Sequence, residues 1–351
     1  MSRVKRSNQA LSRRPVPDFV AGKMRPPLAV VLGSPAEVVN LLSAAPGVQA
    51  VCYQMDLHQA QRLRAELGAS GLKAEVVTAP DLWDLPADFQ TAVYMPARAG
   101  ERELKIDMVE QGFHVLRRGG VFLVWSPYAG DPFFPAQLKK VFGKAHTGPH
   151  AGGDADTVLW CAREGDRPRR RHEVTFQARV NEGPPCRFLS RPGTFSYGRF
   201  DNGARALAEV TEVEPGDRVL DVGCGVGTNG VFAAQQAGPD GSVAFVDSNV
   251  RALALAEHNA RANGVPHFQT FASGTVEGPE EGTFDVALAN PPYFANSAIA
   301  HLFIRRSKAL LTPQGRFYLV TRQANEVAPV VEETFGAVEA LMHRGYTILV
   351  A

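Results

Sequence analysis

The tetrapeptide Asn290-Pro291-Pro292-Tyr293 carries the side chains in this sequence that are best suited to chemistry. Consecutive prolines remove two N–H donors and fix the main chain, so the Asn290 side-chain oxygen and the Pro291 carbonyl can project as paired acceptors. Tyr293 adds a flat aromatic face. This combination suits a planar nitrogen group, such as the exocyclic amine of a nucleobase. We therefore predict that Asn290, Pro291, Pro292 and Tyr293 are catalytic residues.

A glycine-rich loop predicts a cofactor site. The apolar run from Val219 to Val222 ends in a loop with glycines at 223, 225, 227 and 230, typical of a buried strand that turns into a helix. Alternate glycines let the main chain approach a ligand closely. Asp221 places a carboxylate at the strand end, which suits the cationic end of S-adenosylmethionine better than a pyrophosphate. The residues expected to bind this cofactor are Asp221, Gly223, Cys224, Gly225 and Gly227.

Further cofactor contacts are expected at the ends of the next two strands. Asp247 follows the glycine loop by about 20 residues, a spacing that suits hydrogen bonds from two ribose hydroxyls, and it is adjoined by Ser248. Capping of the next helix is compatible with this role. Ala272 and Ser273 close the third strand, where they would leave room for an adenine ring and bond its edge. A plain turn there is the alternative.

Composition restricts the class of protein. With 351 residues and 45% hydrophobic content, the chain is long enough for about two domains. Its formal charge of +1 excludes a uniformly basic nucleic-acid binder. The four cysteines lack metal-site or disulfide spacing, so we expect no metal. Because no segment reads as a membrane span or signal peptide, we predict a cytoplasmic protein.

Strand and helix signals alternate along the chain, which predicts a doubly wound α/β fold. We predict a basic flexible arm over residues 1–26, a first domain over 27–165, a linker over 166–187 and a cofactor-binding domain over 188–351. The arm and the arginine-rich run 163–171 read as solvated segments. Contact of either with RNA remains the alternative.

The two halves of the chain show internal similarity. Residues 89–96 parallel residues 284–291, and the spacing from Met95 to Gly120 equals that from Asn290 to Gly315. On this alignment Asp56 corresponds to Asp247. The first half has Gly33-Ser-Pro35 in place of the glycine loop and Met95 in place of Asn290, so we predict the same fold without the cofactor or the chemistry. Two unrelated α/β domains are the alternative.

The segments 221–227 and 290–293 resemble class I S-adenosylmethionine-dependent methyltransferases that act on amino groups. Three further features narrow the resemblance to the RsmC-type ribosomal RNA guanine-N2 methyltransferases. They are the two tandem halves with only the second intact, Pro192-Gly-Thr-Phe-Ser196 and Glu333-Thr-Phe-Gly336. The similarity extends from about residue 28 to residue 351. One departure is Phe294, where the family commonly has His.

The resemblance implies two tandem Rossmann-like domains, the N-terminal one degenerate and serving folding and RNA binding. Apart from the resemblance, the oligomeric state is open, with a monomer favoured. The resemblance also implies S-adenosylmethionine as cofactor, guanine N2 of small-subunit ribosomal RNA as target and the small ribosomal subunit as partner. It brings Phe195 and Asp201 near the cofactor. Two alternatives stay open: an adenine-N6 or protein-glutamine N-methyltransferase, and a non-catalytic RNA-binding or ribosome assembly factor that binds S-adenosylmethionine.

Overall fold

The structure, a computed structural model, describes residues 15–149, 156–292 and 297–351. The chain divides into two compact units, one up to His172 and the other from Glu173. Each unit is built on one seven-stranded sheet, and the strands of both sheets follow the same spatial order. The predicted fold of two tandem Rossmann-like domains is confirmed, whereas the exact domain boundaries stay a prediction.

The first unit contains one mixed sheet with the strand order β3-β2-β1-β4-β5-β7-β6. Its first five strands are parallel, and β7 runs antiparallel to β5. The elements in chain order are α1 (Asp18–Lys23), β1 (Leu28–Val31), α2 (Pro35–Ser43), β2 (Ala50–Gln54), α3 (Leu57–Ala69), β3 (Glu75–Thr78), a 3-10 helix (Leu82–Asp84), β4 (Phe89–Tyr94), α4 (Arg102–Val115), β5 (Leu116–Ser126), α5 (Phe133–Phe142), β6 (His146–Thr147) and β7 (Thr157–Ala162).

The second unit repeats this pattern in the order β12-β11-β10-β13-β14-β16-β15, preceded by an antiparallel pair, β8 and β9. Its elements are β8 (Val174–Ala178), β9 (Cys186–Ser190), α6 (Asn202–Val210), β10 (Arg218–Val222), α7 (Thr228–Ala237), β11 (Ser242–Asp247), α8 (Val250–Ala262), β12 (Phe268–Ala272), β13 (Phe284–Ala289), α9 (Ala298–Leu310), β14 (Leu311–Thr321), α10 (Ala324–Phe335), β15 (Glu339–His343) and β16 (Tyr346–Val350).

The central strands are apolar because helices cover both faces of each sheet. All four residues of β1 are buried, and so are residues 219–222 of β10. Two hydrophobic clusters lie in each unit. In the second unit β10 has β11 on one side and β13 on the other. All three strands are parallel, so the order in which strands are added to the sheet reverses at β10, and the carboxyl ends of these strands form a cleft where ligands of such folds bind.

Gly120 and Gly315, which correspond in the internal alignment, each allow a close approach of neighbouring backbone. A Cβ at Gly120 would lie 2.8 Å from the Phe89 carbonyl oxygen, and one at Gly315 would lie 2.9 Å from that of Phe284. The register shifts at both places. Both glycines lie inside the long strands β5 and β14, because the irregularity lets pairing continue on either side of it.

The prediction of a flexible arm is wrong from Asp18 onward. Residues 1–14 lie outside the described part, but Asp18–Lys23 form a helix whose Val20 is fully buried. The ammonium of Lys23 lies 4.1 Å from the ring centroid of Trp160. This segment therefore packs on the first unit.

The arginine-rich run 163–171 was expected to be solvated, but the part of it within the predicted linker 166–187 contacts the first unit. Arg167 pairs with Glu110 at 3.1 Å and donates to the Val141 carbonyl at 2.9 Å. Arg169 lies over Trp83. Later in the same stretch, β8 and the start of β9 form a strand pair. Arginines at the start of the stretch are thus part of the surface of the first unit.

The register of the first sheet corrects one detail of the internal alignment. Val31 pairs with Tyr53 in the first unit, and Val222 pairs with Val246 in the second. Gln54, the next residue, therefore corresponds to Asp247. The predicted counterpart, Asp56, instead caps α3 by accepting from the Gln59 amide, as any helix N-cap can.

Two further details explain why the first unit differs at the equivalent cleft. Leu32 follows β1 as Gly223 follows β10, and both have positive φ, 55° and 68°. The fold imposes this conformation, which glycine adopts more readily than leucine. A Cβ on Gly33 would lie 2.9 Å from the Met95 side chain. Met95 thus fills the space beside this loop.

In the described ranges no helix is long and apolar enough to cross a membrane. The four cysteines are free and buried. No group of three or more His, Cys, Asp or Glu side chains within residues 15–149, 156–292 and 297–351 is arranged to hold a metal ion.

Candidate functional site

Seven of the fifteen predicted site residues line one cavity at the carboxyl ends of β10 and β13. Its volume is about 30 Å³, which is much less than a whole nucleoside needs. The lining residues are Phe195, Ser196, Arg199, Asp201, Ala204, Asp221, Gly223, Cys224, Gly225, Val226, Thr228, Asn229 and Asn290. The structure therefore brings together residues from three separate stretches of the second unit, within 195–204, within 221–229 and at position 290.

Asp221 lies at the end of β10 with only 3% of its surface exposed. One carboxylate oxygen accepts a hydrogen bond from the Gly230 amide at 2.8 Å. Burial raises the pKa of Asp221 to about 7, the Gly230 amide opposes this rise, and the charge of Asp247 adds to it. A buried carboxyl with a raised pKa in a cleft is typical of a functional group.

The glycine loop has the backbone geometry that its sequence predicts. Gly223, Gly225 and Gly227 have φ values of 68°, 55° and 82°, in the left-handed region that favours glycine. The amides of Gly223 and Cys224 donate to the Val246 carbonyl at 2.8 Å and 3.0 Å. A Cβ on Gly225 would meet nothing within 4 Å, so this glycine faces open space.

Asp247 supports the glycine loop directly. One of its oxygens accepts from the Gly225 amide at 2.8 Å, and the other accepts from the Asn249 amide at the same distance. Asn249, and not Asp247, caps helix α8, because the Asn249 side chain accepts from the amides of Arg251 and Ala252. The carboxylate is therefore held at the rim of the loop, on the sheet edge where a ribose was expected.

The third strand ends beside Asp247, as predicted. Ala272 pairs with Asp247 in the register of β11 and β12, and the Ser273 amide donates to the Asp247 carbonyl at 3.0 Å. The Ser273 hydroxyl accepts from the amides of Thr275 and Glu277 at 3.2 Å and 2.9 Å. This is the turn that the alternative interpretation expected, and the hydroxyl hydrogen takes no part in these two bonds. Ser248 is half-buried beside Asp247.

Asn290 follows β13 and contacts a residue distant in sequence. Its side-chain amide donates to Oδ2 of Asp201 at 3.3 Å, and both side chains line the cavity. Pro291 is buried and Pro292 is half-buried. Tyr293 and Phe294 lie outside the described residues.

Two groups of residues in the site were not predicted from the sequence. The Asn229 side chain lines the cavity with 5% of its surface exposed, and its Oδ1 has no hydrogen-bond partner among the described residues. The second group holds the loop that carries Phe195. Fully buried Arg251 donates to the Pro192 carbonyl at 2.6 Å, and Asn249 donates to the Gly193 carbonyl at 2.7 Å. At the tip of this loop, Phe195 is 47% exposed.

These residues fit S-adenosylmethionine. A buried carboxyl and an orphaned amide oxygen, on Asp221 and Asn229, offer acceptors to a cationic amino-acid group. Gly225 leaves open the space that any side chain would fill. The Asp247 carboxylate stands at the end of the next strand, where a ribose would lie.

Known proteins resemble this chain over its whole length and over its second unit. Residues 185–350 match the family model of the methyltransferase small domain. Ribosomal RNA small subunit methyltransferase C of Chromohalobacter salexigens is 36% identical over 155 residues, which is 42% of this chain and 45% of that relative. The protein of the same name from Pseudomonas putida is 26% identical over 88% of this chain and 89% of its own length.

Two further comparisons extend this similarity. YbxB of Bacillus subtilis is 32% identical over 172 residues, 47% of this chain and 84% of that protein. The solved structure of the T. thermophilus 16S rRNA N2 methyltransferase RsmC, in complex with AdoMet and guanosine, matches with a TM-score of 0.74. That match has 23% identity and covers 97% of this chain and 92% of the other, so it shows the fold.

The strand order and the cleft define a class I S-adenosylmethionine-dependent methyltransferase, and its cofactor is S-adenosylmethionine. The second unit is a methyltransferase small domain. The chain belongs to the RsmC-type family of ribosomal RNA small subunit methyltransferases.

Proposed function

We propose that this protein methylates the exocyclic N2 amine of a guanine in small-subunit ribosomal RNA. The observation that carries the proposal is the position of Asn290 at the end of β13, in one cavity with Asp221 and the glycine loop. An amide oxygen beside a cofactor site suits an amine as the methyl acceptor. The names of the curated relatives support ribosomal RNA as the substrate.

The cofactor would be held by residues on three neighbouring strands. Asp221 and Asn229 would accept hydrogen bonds from its amino-acid end, and the glycine loop would lie alongside it. Asp247 accepts from the ribose hydroxyls, beside Ser248. Ala272 and Ser273 border the adenine. Phe195 closes the cavity at its exposed rim, and the remaining loop contacts come from Gly223, Cys224, Gly225 and Gly227.

The target amine would be positioned by Asn290 and Pro291. Their oxygens accept from the two amine hydrogens, which turns the nitrogen lone pair toward the cleft. Pro292 fixes the backbone, and Tyr293 stacks on the base. S-adenosylmethionine would supply an electrophilic methyl group, so the residues need only orient the nitrogen. The nitrogen loses its extra proton to solvent after transfer, and no strong general base is required.

The partner in this proposal is the small ribosomal subunit, met in the cytoplasm by a monomer. The first unit, which lacks the cofactor loop, would contact RNA phosphates through its exposed arginines at positions 169, 170 and 171. The guanidinium carbon of Arg169 lies 5.3 Å from the centroid of the Trp83 ring on this surface.

Mapping of methylated nucleotides in ribosomal RNA from cells with and without this protein tests the proposal. We expect one N2-methylguanosine of the small subunit to disappear with the protein and to return with the wild-type gene but not with Asn290→Ala. Loss of an N6-methyladenine or a methylated release factor would favour the first alternative. An unchanged methylation map together with defective subunit assembly would favour a non-catalytic assembly factor.

A further inference from the structure

The contact between Asn290 and Asp201 joins the start of a helix to the predicted catalytic amide. Oδ2 of Asp201 accepts from the Ala204 amide at 2.9 Å, which makes Asp201 the N-cap of α6. The same oxygen accepts from Nδ2 of Asn290 at 3.3 Å. Helix α6 is anchored in the core, because Ala204, Ala206 and Leu207 are buried. The position of the Asp201 carboxylate is thus set by a fixed element.

This contact fixes the orientation of the Asn290 side-chain amide. A primary amide has nearly the same shape after a half-turn, so its nitrogen and oxygen exchange places unless a neighbour distinguishes them. A carboxylate accepts hydrogen bonds and does not donate them, so only the Asn290 nitrogen can face it. The flipped amide would bring two oxygens together. The Asn290 oxygen therefore lies on the side of the amide group away from Asp201.

We propose that Asp201 is a positioning residue that fixes the orientation of the Asn290 amide, so that its oxygen is presented to the target amine. This role rests on the proposed function of Asn290. It differs from the cofactor contact that the family resemblance implies for Asp201. The hydrogen bond from the Ala204 amide fixes the Asp201 carboxylate, and this carboxylate accepts from the Asn290 nitrogen. The Asn290 oxygen then accepts a hydrogen bond from the target amine.

Variants of Asp201 and Asn290 test the helix cap and the contact between the two side chains separately. Asp201→Ser keeps a good N-cap residue but is too short to reach Asn290, so α6 should remain while the amide loses its partner. We expect the single-turnover rate of methyl transfer to small ribosomal subunits to fall about 10-fold, with S-adenosylmethionine affinity within about twofold of wild type. Thermal unfolding checks that the variant is folded.

An exchange of the two side chains provides a rescue. Asn290→Asp alone keeps an acceptor oxygen but sets a second carboxylate against Asp201, so its rate should fall at least as far as that of Asp201→Ser. Adding Asp201→Asn restores a donor and an acceptor in reversed order. The double variant should then be at least about 10-fold faster than Asn290→Asp, a coupling that independent sites would not show.

The outcomes separate this inference from the proposed function. Loss of S-adenosylmethionine affinity in Asp201→Ser, or additive effects in the exchange, would overturn the positioning role while leaving Asn290 as a catalytic residue. A wild-type rate in Asn290→Ala would instead remove the proposed function of Asn290 itself. Slow transfer in Asp201→Ser with unchanged affinity, together with rescue in the exchange, supports the inference.

Discussion

The environment of Asp221 makes the site sensitive to pH. Its folded pKa is about 7, against 3.8 for the unperturbed group, chiefly because the carboxyl is buried. The folded chain thus holds a proton that the unfolded chain loses first. The contribution of this group to stability is complete below pH 3.8 and is lost as the pH rises through about 7. Binding of a cation has the opposite dependence, because it favours the carboxylate.

We predict that S-adenosylmethionine binds about 10-fold more tightly at pH 8 than at pH 6, since the ionised fraction of Asp221 rises about 10-fold across a pKa of about 7. Calorimetric titrations of the full chain at several pH values measure this. Asp221→Asn is the matched control, because it keeps the size of the side chain and removes its titration. An equally steep pH dependence in Asp221→Asn would assign the effect to other groups, including the amino group of the ligand.

The sequence predicts the site residues that lie at the ends of strands. It does not predict the residues that come together only in the folded structure. Asp221, Asp247 and Asn290 each end an apolar run, and the ends of parallel strands meet at one edge of a sheet. The partner of Asn290 lies 89 residues away in the sequence, so no spacing rule indicates it. Asn229 was missed because it reads as part of the first turn of a helix.

At the scale of elements, the close approach of β10, α7 and β11 depends on Gly230. A Cβ at this position would lie 2.4 Å from the Phe245 ring and 3.0 Å from Oδ2 of Asp221. We predict that Gly230→Ala lowers the free energy of unfolding by about 1–3 kcal/mol, because α7 must move away from the sheet. Urea-induced unfolding of the full chain measures the change.

Gly68→Ala is the matched control for this prediction. Gly68 lies in α3, where an added Cβ meets nothing within 4 Å, so alanine should leave stability unchanged or raise it by up to about 1 kcal/mol. Equal stability of the Gly230→Ala variant and the wild type would contradict tight packing of α7 on the sheet.

Elements buried on both faces were predictable, because parallel strands under two helical layers read as continuous apolar runs. β13 and α8 begin and end where the sequence indicates. The edge strand β15 was missed, since its residues are exposed or half-buried and carry little periodic signal. α5 and β7 were missed as well, although eight of their sixteen residues are buried, because the first domain was expected to end without further elements after residue 125.

At the scale of the whole molecule, the two units share one strand order but differ in the cleft. Leu32, Gln54 and Met95 occupy the positions of Gly223, Asp247 and Asn290. They remove the glycine, the carboxylate and the amide on which the proposed site depends. The internal similarity in the sequence was sufficient to predict this duplication, while the register of the strands was needed to pair Gln54 with Asp247.

We predict that cofactor binding resides wholly in the second unit. A fragment of residues 173–351 contains every residue of the cavity and should bind S-adenosylmethionine with an affinity near that of the full chain. A fragment of residues 15–172 should not bind it. Calorimetry on both fragments, with circular dichroism to confirm folding, decides the question. Measurable binding to a folded first fragment would contradict the prediction.

The most direct measurement of the central claim is single-turnover methylation of small ribosomal subunits that lack the modification, followed by nucleoside analysis. The wild type should form N2-methylguanosine. Asn290→Ala should form it on the order of 10²-fold more slowly with little change in S-adenosylmethionine affinity, because the lost hydrogen bond helps to hold the reacting amine. Equal rates for the two proteins, or a methylated product other than N2-methylguanosine, would contradict the account.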